Sequence, residues 1–484
     1  MRLGRGRPGL LAAYAVLLLV LAVPVMAVVV PVGVDTLAHL ARLHVRAHIG
    51  TDPDLARLFT IRDGLIPYLG MDWLLTPLVA VLPTLVVGRI ATVLSVWGIV
   101  GAVAVLQRSF TGRWGAEPLL AGVIAWNGMT AWGFLNYLMG VALALGTLAL
   151  WHSWRDRPVW LRLLVFGAAS AGLYLVHLLA LVVYAGLVGL YAITGRDWRA
   201  RTWLLIALQF VPVVVLWLLY APPVPQGSLG ILYNLPAALI AFASPTLFPA
   251  ALGGWESGHL VLLVTVFGLC GLTLARIVTW DRTLLSMAGV LFLFGLAIPV
   301  AAVGISWVNL RLPVVAACFG IAAIRFGGSP AWGWAVAGLV LIRTASVSAT
   351  MAACAPDYAE LRQAMQSLPR GVVLTPVLER TDPVHSCSWL PVYEHAGNLV
   401  TIERSGLSAD FFARTTSVTS GTATTDQMAA EMGRPGAVPL TGYVLWMHLG
   451  RSWPRPPGAA VVIQGSFFDL LRIGTVPGLH DQVD

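Results

Sequence analysis

Residues 10–32 read LLAAYAVLLLVLAVPVMAVVVPV, and residues 33–48 continue as GVDTLAHLARLHVRAH. About 20 consecutive apolar residues suffice to cross a bilayer as a helix, so the first run predicts a transmembrane span. The second run has helical amphipathic spacing, and one stripe of the predicted helix carries Asp35, His39, Arg42 and Arg46. An acid beside a basic stripe at a membrane surface suits chemistry on an anionic, lipid-linked substrate. The alternative is that Asp35 only caps the helix and that the stripe is solvated.

The composition predicts an α-helical polytopic membrane protein. Of the 484 residues, 58% are hydrophobic and 11% are charged, whereas soluble proteins carry roughly 25% charged residues. The apolar runs are too numerous for the first one to be only a signal peptide. All 30 basic residues are arginines, which gives a net charge of +8. Because these arginines follow the connections between apolar runs, they indicate membrane topology rather than nucleic-acid binding.

Eleven apolar runs predict eleven transmembrane helices. They cover residues 10–32, 84–106, 116–132, 134–151, 160–177, 178–194, 202–220, 259–275, 283–303, 308–324 and 331–350. A further apolar stretch within residues 64–83 contains Asp72 and three prolines, which predicts a segment at the membrane interface. If that stretch crossed the membrane, the count would be twelve and the downstream orientation would invert.

The arginines also predict the orientation. With eleven spans, the arginines of the N-terminus and of five connections all fall on one side, which the positive-inside rule makes cytoplasmic. These are Arg2, Arg5, Arg7, Arg108, Arg113, Arg155, Arg157, Arg196, Arg199, Arg201, Arg276, Arg282 and Arg325. The opposite side receives a first outer loop, residues 33–83, and the C-terminal region. We therefore expect a transmembrane domain at residues 1–351 and an extracytoplasmic domain at residues 352–484.

The C-terminal region reads as a small α/β domain. A helix is predicted at 357–368 and a loop at 414–426, and β-like runs occur at Val372–Leu374, Leu399–Ile402, Tyr443–Trp446 and Ala460–Ile463. Cys354 and Cys387 share the predicted extracytoplasmic side, where the environment is oxidising. The sequence leaves open whether they form a disulfide or remain two free thiols.

No Walker loop, dinucleotide fingerprint, paired CxxC or HExxH occurs in the chain, so an ATP-driven pump or a cytoplasmic nucleotide-sugar enzyme has no support. Polar residues suited to chemistry gather instead on the predicted outer face. They are Asp35, His39, Asp72, Asn136, Tyr137, His177, Glu256 and Arg311. An arginine fork matches a phosphate, and Arg311 lies where a lipid phosphate is expected.

Several of these residues have structural alternatives. His177 lies in an apolar run and fits a buried, hydrogen-bonded histidine as well as a ligand. Asn136 fits a helix cap or a contact between two spans. For Arg89 and Arg343, which lie toward the outer ends of spans, snorkelling to the interface and ligand binding both remain open.

The layout resembles the GT-C superfamily of integral membrane glycosyltransferases. The shared features are a cytoplasmic N-terminus, a large first outer loop that opens with an acid (VDTLAHLARL, residues 34–43), many spans and a C-terminal extracytoplasmic domain. The runs GFLNYLMGVALAL, LYLVHLLAL and NLRLPVVAA, which begin at residues 133, 173 and 309, also resemble segments of bacterial members. Many members carry two adjacent acids in the first loop. Here Thr36 follows Asp35, which leaves Asp72 or Glu256 as the second acid.

The resemblance implies transfer of a sugar from a polyprenyl-phosphate donor to a glycan, lipid or protein acceptor outside the cytoplasm, in the inner membrane of a bacterium. In this scheme Asp35 is the base, Arg311 stabilises the departing phosphate, and His39 and Arg42 assist. One direct displacement would invert the anomeric carbon. A divalent cation (Mg²⁺, Mn²⁺ or Ca²⁺) could bind Asp35 and His39, because residues four apart share a helix face.

Two other functional classes remain open. The chain could be a transporter or flippase for polysaccharide or lipid, or a non-catalytic assembly component whose outer domain docks another protein. A translocation route usually needs polar groups at mid-membrane. The predicted mid-span positions are mainly Leu, Val, Ala and Gly, which favours an active site at the surface.

Overall fold

The structure is a computed structural model. It describes residues 7–62, 64–220, 231–248, 251–252, 255–302, 305–327, 331–378, 385–411, 418–420, 442–450 and 454–474.

The described chain is mostly helical. Its α-helices are α1 Arg7–Met26, α2 Thr36–His48, α3 Pro53–Leu58, α4 Leu69–Val79, α5 Thr84–Thr111, α6 Gly122–Ala125, α7 Gly128–Ala131, α8 Leu135–Ser153, α9 Val159–Val176, α10 Leu178–Thr194, α11 Ala200–Leu208, α12 Val211–Tyr220, α13 Leu235–Ile240, α14 Ser257–Leu274, α15 Arg282–Ala297, α16 Arg311–Ala323, α17 Ala331–Gln366 and α18 Leu399–Arg404. Its strands are β1 Phe59–Ile61, β2 Ile231–Leu232, β3 Ala251–Leu252, β4 Trp255–Glu256, β5 Val278–Trp280, β6 Ala301–Ala302, β7 Ile305–Ser306, β8 Ile324–Phe326, β9 Val373–Leu378, β10 Leu407–Ser408, β11 Val418–Ser420, β12 Gly442–Met447, β13 Ala459–Gln464 and β14 Asp469–Ile473.

Seven helical segments among the described residues are long and apolar enough to cross a membrane. They are Pro8–Met26, Thr84–Thr111, Leu135–Ser153, Val159–Val176, Ala200–Tyr220, Ser257–Leu274 and Trp332–Gln366. Four shorter apolar helices accompany them, namely α4, α10, α15 and α16. Helices of this length and composition are typical of a membrane protein. The finer prediction of eleven crossings remains a prediction.

The predicted span at residues 116–132 is not one continuous helix. A 3₁₀ helix at Glu117–Ala121 is followed by α6 and α7, with extended backbone at Asn127. The side chain of Asn127 accepts hydrogen bonds from the backbone N–H groups of Met129 and Thr130, at 2.9 and 3.3 Å. Asparagine is among the preferred N-cap residues because its side chain satisfies the first free N–H groups of a helix. Hydropathy alone does not register such a cap inside an apolar run.

Helix α17 joins two elements that the sequence predicts as separate. The predicted span at 331–350 and the predicted helix at 357–368 form one helix of 36 residues that contains Pro356. The intervening residues 351–356 read MAACAP. The three alanines have the highest helix propensity, and the helix continues through Pro356.

The chain forms two compact units. The first unit comprises Met1–Val28, Gly64–Met71 and Arg89–Met351, and the second comprises Val29–Asp63, Asp72–Gly88 and Ala352–Asp484. Most of the predicted first outer loop therefore belongs to the same unit as the C-terminal region.

The first unit is built from packed apolar helices, among them the pairs α15 with α16 and α8 with α10. Helices α8 and α10 approach each other closely at Gly140, where a Cβ would lie 2.5 Å from the Cβ of Ala180. Small residues permit such close backbone approach between membrane helices.

The second unit contains a five-stranded sheet in the order β10-β9-β12-β14-β13. Strands β10, β9 and β12 are parallel, whereas β14 is antiparallel to both β12 and β13. Strands β9, β12 and β13 lie where the sequence predicts strands. The predicted strand at Leu399–Ile402 is wrong, because these residues form part of α18. Parallel neighbours need a crossover connection, and α18 lies in the connection from β9 to β10.

The amphipathic helix α2 packs its apolar face within the second unit. Ala41 and Val45 belong to a buried cluster with Leu407 and Phe411, which flank the end of β10. Strand β1 pairs antiparallel with β11, whose residues fall in the predicted loop at 414–426. The other residues of that predicted loop lie outside the described residues. Arg42, which belongs to the polar stripe that the sequence predicts, is buried as well, so the stripe as a whole is not solvated.

Cys354 and Cys387 form a disulfide in the second unit. The structure thus selects one of the two states that the sequence leaves open. The bond ties the segment that begins at residue 385 to helix α17.

Candidate functional site

Asp35 occupies the N-cap position of α2, but its side chain makes no capping hydrogen bond. Its Oδ1 atom lies instead 3.5 Å from Nε2 of His395. A carboxylate that only capped the helix would accept from the second or third N–H of α2. The side chain of Asp35 makes no such bond, which argues against the alternative that Asp35 only caps the helix.

His395 lies between two carboxylates. Its Nδ1 atom is 3.5 Å from Oδ2 of Asp410, while Nε2 faces Asp35. The other oxygen of Asp410 accepts hydrogen bonds from Nδ2 of Asn398, at 3.1 Å, and from the hydroxyl of Ser408. The exposed fractions of the Asp35, His395 and Asp410 side chains are 20%, 13% and 9%. The result is a carboxylate–imidazole–carboxylate row whose Asp35 end is the most accessible to solvent.

Local backbone structure positions this row. His395 directly precedes a 3₁₀ turn at Ala396–Asn398, and Asp410 lies two residues beyond β10. Sequence reasoning missed both residues. They are separated from Asp35 by more than 350 positions, so no helical or strand spacing could connect them with it. The one local signal is the sequence SAD, in which a carboxylate closely follows a buried strand.

Opposing influences set the pKa of His395. Burial lowers the pKa, whereas the contact with Asp410 and the charge of that carboxylate raise it. The charges of Asp35 and Glu394 raise it further, and the net result is a pKa above the ordinary 6.5. The row therefore favours the imidazolium form, in which both ring nitrogens donate.

A second polar group consists of His39 and Arg42 on the same helix and of Asp72 on α4. Arg42 donates to both carboxylate oxygens of Asp72, from Nη2 at 2.8 Å and from Nε at 3.0 Å. Both side chains are 1% exposed. Removing one partner of such a buried pair leaves an uncompensated charge, which makes the pair a strong structural constraint. The substrate-binding roles expected for Arg42 and Asp72 remain predictions.

His39 is held in one tautomer. Nη1 of Arg42 lies 3.3 Å from Nδ1 of His39, and because a guanidinium only donates, Nδ1 is the acceptor and Nε2 carries the proton. Burial lowers the pKa of His39 well below the ordinary 6.5, and the positive charges of Arg42 and His395 lower it further. His39 is therefore a neutral imidazole with an N–H at Nε2.

This tautomer does not suit a metal ion held by Asp35 and His39. Imidazole binds metals through an unprotonated nitrogen, and the unprotonated Nδ1 already accepts from Arg42. In the described part of the chain, no group of three or more His, Cys, Asp or Glu side chains is arranged to hold a metal ion. The divalent cation that the sequence suggests remains a prediction.

In the first unit, three of the predicted residues meet. The guanidinium carbon of Arg311 lies 4.4 Å from the ring centre of Phe134 and 5.1 Å from that of Tyr137. The Tyr137 hydroxyl donates to the backbone carbonyl of Arg311 at 3.2 Å, and the ring of His177 lies edge-on to those of Tyr137 and Tyr68. This aromatic cluster (Tyr68, Phe134, Tyr137, His177 and Arg311) combines a buried cation with polar side chains.

The remaining predicted residues are placed as follows. His177 is buried and accepts from the N–H of Leu179 as the cap of α10, so it is a hydrogen-bonded buried histidine within the cluster. Asn136 is 2% exposed, and neither of its side-chain polar atoms has a hydrogen-bond partner in the described part of the chain. Glu256 ends β4, and its side chain lies outside the described residues.

The two arginines within spans differ in environment. Arg343 is completely buried and donates to the hydroxyl of Ser257 and to the backbone carbonyls of Trp126 and Thr246. It therefore joins separate segments of the first unit and does not snorkel to the surface. Arg89 is partly buried and donates to the carbonyl of Val28 at 3.4 Å.

Comparisons of the chain with known protein-family models and with curated proteins find no match. The function proposed below rests on the layout of the sequence and on the three residue groups described above.

Proposed function

We propose that the protein is a membrane glycosyltransferase that moves a sugar from a polyprenyl-phosphate-linked donor to an acceptor outside the cytoplasm. The observation that carries this proposal is the position of Asp35 and the contacts of its side chain. Asp35 follows the first apolar run, does not cap α2, and is paired with an imidazole that a second carboxylate holds. A partly exposed carboxylate with a fixed partner is suited to proton abstraction.

The reaction needs few groups. Asp35 takes the proton of the acceptor hydroxyl as its oxygen attacks the anomeric carbon. The bond between that carbon and the phosphate oxygen breaks, and the polyprenyl phosphate leaves with the bonding electrons. One displacement of this kind inverts the anomeric carbon. The leaving group is already a phosphate, so it does not need protonation by a strong general acid. Positive charge beside the departing phosphate is needed instead, because it stabilises the developing negative charge.

Arg311 is the proposed source of that positive charge. Its guanidinium lies against the rings of Phe134 and Tyr137, which hold it in place by cation–π contact. Arginine binds phosphate in a bidentate, charge-assisted manner. Tyr137 and His177 belong to the same aromatic cluster, and Asn136 directly precedes Tyr137 in the sequence. We assign these three predicted substrate contacts to binding of the donor.

The location is proposed from sequence and from the disulfide. We place the protein in a bacterial inner membrane with a cytoplasmic N-terminus and an extracytoplasmic second unit. The Cys354–Cys387 bond supports this orientation, because disulfides persist in oxidising compartments and are rare in the cytosol. The acceptor would then be a glycan, lipid or protein of the cell envelope.

A transfer assay tests the proposal. Full-length protein in nanodiscs is supplied with radiolabelled polyprenyl-phosphate sugars and candidate acceptors, with and without Mg²⁺, Mn²⁺ or Ca²⁺. We expect wild type to release label from the lipid and Asp35→Asn to be slower by about a hundredfold or more, the usual contribution of a general base. Asp54→Asn, which changes another acid of the same loop, should retain activity.

Two outcomes would contradict the proposal. Full activity of Asp35→Asn would remove Asp35 as the base. Absence of turnover with every donor, together with donor or glycan binding that Asp35→Asn leaves unchanged, would favour a transporter, a flippase or a non-catalytic assembly component.

A further inference from the structure

The proposed reaction requires Asp35 to point at the acceptor, yet α2 itself does not fix the carboxylate. The side chain lies at the open N-terminus of the helix without a capping bond. The contact seen for its Oδ1 atom comes from His395, in another part of the second unit. His395 therefore contributes to the orientation of Asp35.

His395 stands on a firmly anchored segment. Asp410 faces its Nδ1 atom and is itself held by Asn398 and Ser408. Two residues before His395, the hydroxyl of Tyr393 donates to Asp357 on α17. The disulfide ties the same segment to α17 a second time, through Cys387.

We propose that His395, held by Asp410, is a positioning residue that orients Asp35 for proton abstraction. The catalytic part of this inference rests on the proposed function. Its geometric part does not, since it concerns only the contact between the two side chains. As imidazolium, His395 pairs with Asp35 through Nε2 and with Asp410 through Nδ1, each at 3.5 Å, and these two contacts hold the ring from both sides.

The kinetic test separates positioning from general damage. In the transfer assay, His395→Ala should lower kcat by about ten- to hundredfold, the scale expected for a misplaced catalytic group, with the donor KM changed less than about twofold. His395→Gln keeps a side-chain N–H donor and should recover part of the loss. Asp410→Asn should fall between wild type and His395→Ala.

His385→Gln is the matched control. His385 also contacts a carboxylate of the second unit, Asp357, at 3.1 Å, and its side chain is 38% exposed. Its replacement should leave kcat within about twofold of wild type. A wild-type kcat in His395→Ala, or equal losses in His385→Gln and His395→Gln, would overturn the positioning role.

A double-mutant cycle tests the contact without any substrate. The shifts in unfolding temperature of Asp35→Asn and His395→Ala should not add, because each variant removes the same interaction. The shifts of Asp35→Asn and His385→Gln should add. If wild type turns over no donor, the proposed function fails, and the cycle alone decides whether His395 holds Asp35; additive shifts would refute the contact.

Discussion

Asp35, His395 and Asp410 show how one imidazole can organise two acids. Arg42, on the same helix as Asp35, has different contacts. It is paired with Asp72 in a buried site, and it also fixes the tautomer of His39. The predicted stripe therefore contains residues in two different environments. Asp35 remains partly exposed, whereas Arg42 is fully engaged inside the protein.

The raised pKa of His395 predicts that the free energy of unfolding of the protein depends on pH. The folded state raises this pKa, so folding favours the bound proton, and the stabilisation is complete below the ordinary pKa of 6.5. It is lost as the pH rises through the higher value of the folded state. The groups that face His395 and set this effect are Asp35, His39, Glu394 and Asp410.

Thermal unfolding of wild type and His395→Gln between pH 5 and 9 measures this effect. The stability advantage of wild type should be largest at low pH and should shrink toward alkaline pH. A difference between the two proteins that does not change with pH would contradict the raised pKa.

Among the elements, α8 illustrates how close packing constrains a membrane helix. Gly140 faces Ala180 on α10 with no room for a Cβ, whereas Gly146, six residues later on α8, has no neighbour within 4 Å of a Cβ in the described structure. Glycine is therefore required by packing at one position of α8 and not at the other. Only the packing of α10 against α8 distinguishes them.

Gly140→Ala should destabilise the protein by about 1–3 kcal/mol, because the added methyl group overlaps Ala180 and the helices must separate. Gly146→Ala should be neutral or slightly stabilising, because alanine is the better helix former and meets no neighbour. Unfolding of the purified variants in detergent gives both values. Equal stabilities of the two variants would show that α8 and α10 do not pack as described.

For the whole molecule, the second unit draws on three separated parts of the chain, Val29–Asp63, Asp72–Gly88 and Ala352–Asp484. Residues near the first span thus share a compact unit with the C-terminal sheet. The Cys354–Cys387 bond closes a loop within this unit. The oxidation state of these two cysteines therefore reports whether the second unit lies in an oxidising compartment.

Peptide mapping of protein purified from membranes without reductant should find Cys354 linked to Cys387, and Cys270 and Cys318 as free thiols. Cys354→Ser should lower the free energy of unfolding by about 2–4 kcal/mol, the usual contribution of a disulfide. Cys270→Ser, which removes an exposed free thiol, is the control and should have little effect. Complete alkylation of Cys354 and Cys387 in the native protein would argue for a reducing compartment.

The sequence by itself determined the features that depend on local spacing. A run of apolar residues requires a helix in lipid, the period of α2 defines its polar stripe, and short β-like runs mark β9, β12 and β13. It failed at Leu399–Ile402, where β-branched residues lie in the helical crossover α18, and at Asn127, where one cap interrupts an apolar run.

Tertiary structure alone decided the partners of the predicted residues. His395 and Asp410 reach Asp35 because β10, α18 and α2 pack in one unit, and Asp72 meets Arg42 in the same unit. The same folding brings Cys387 to Cys354 and Arg311 to Phe134. Backbone periodicity relates residues only within one element, so contacts between distant segments arise only when the hydrophobic faces of those elements are buried against each other.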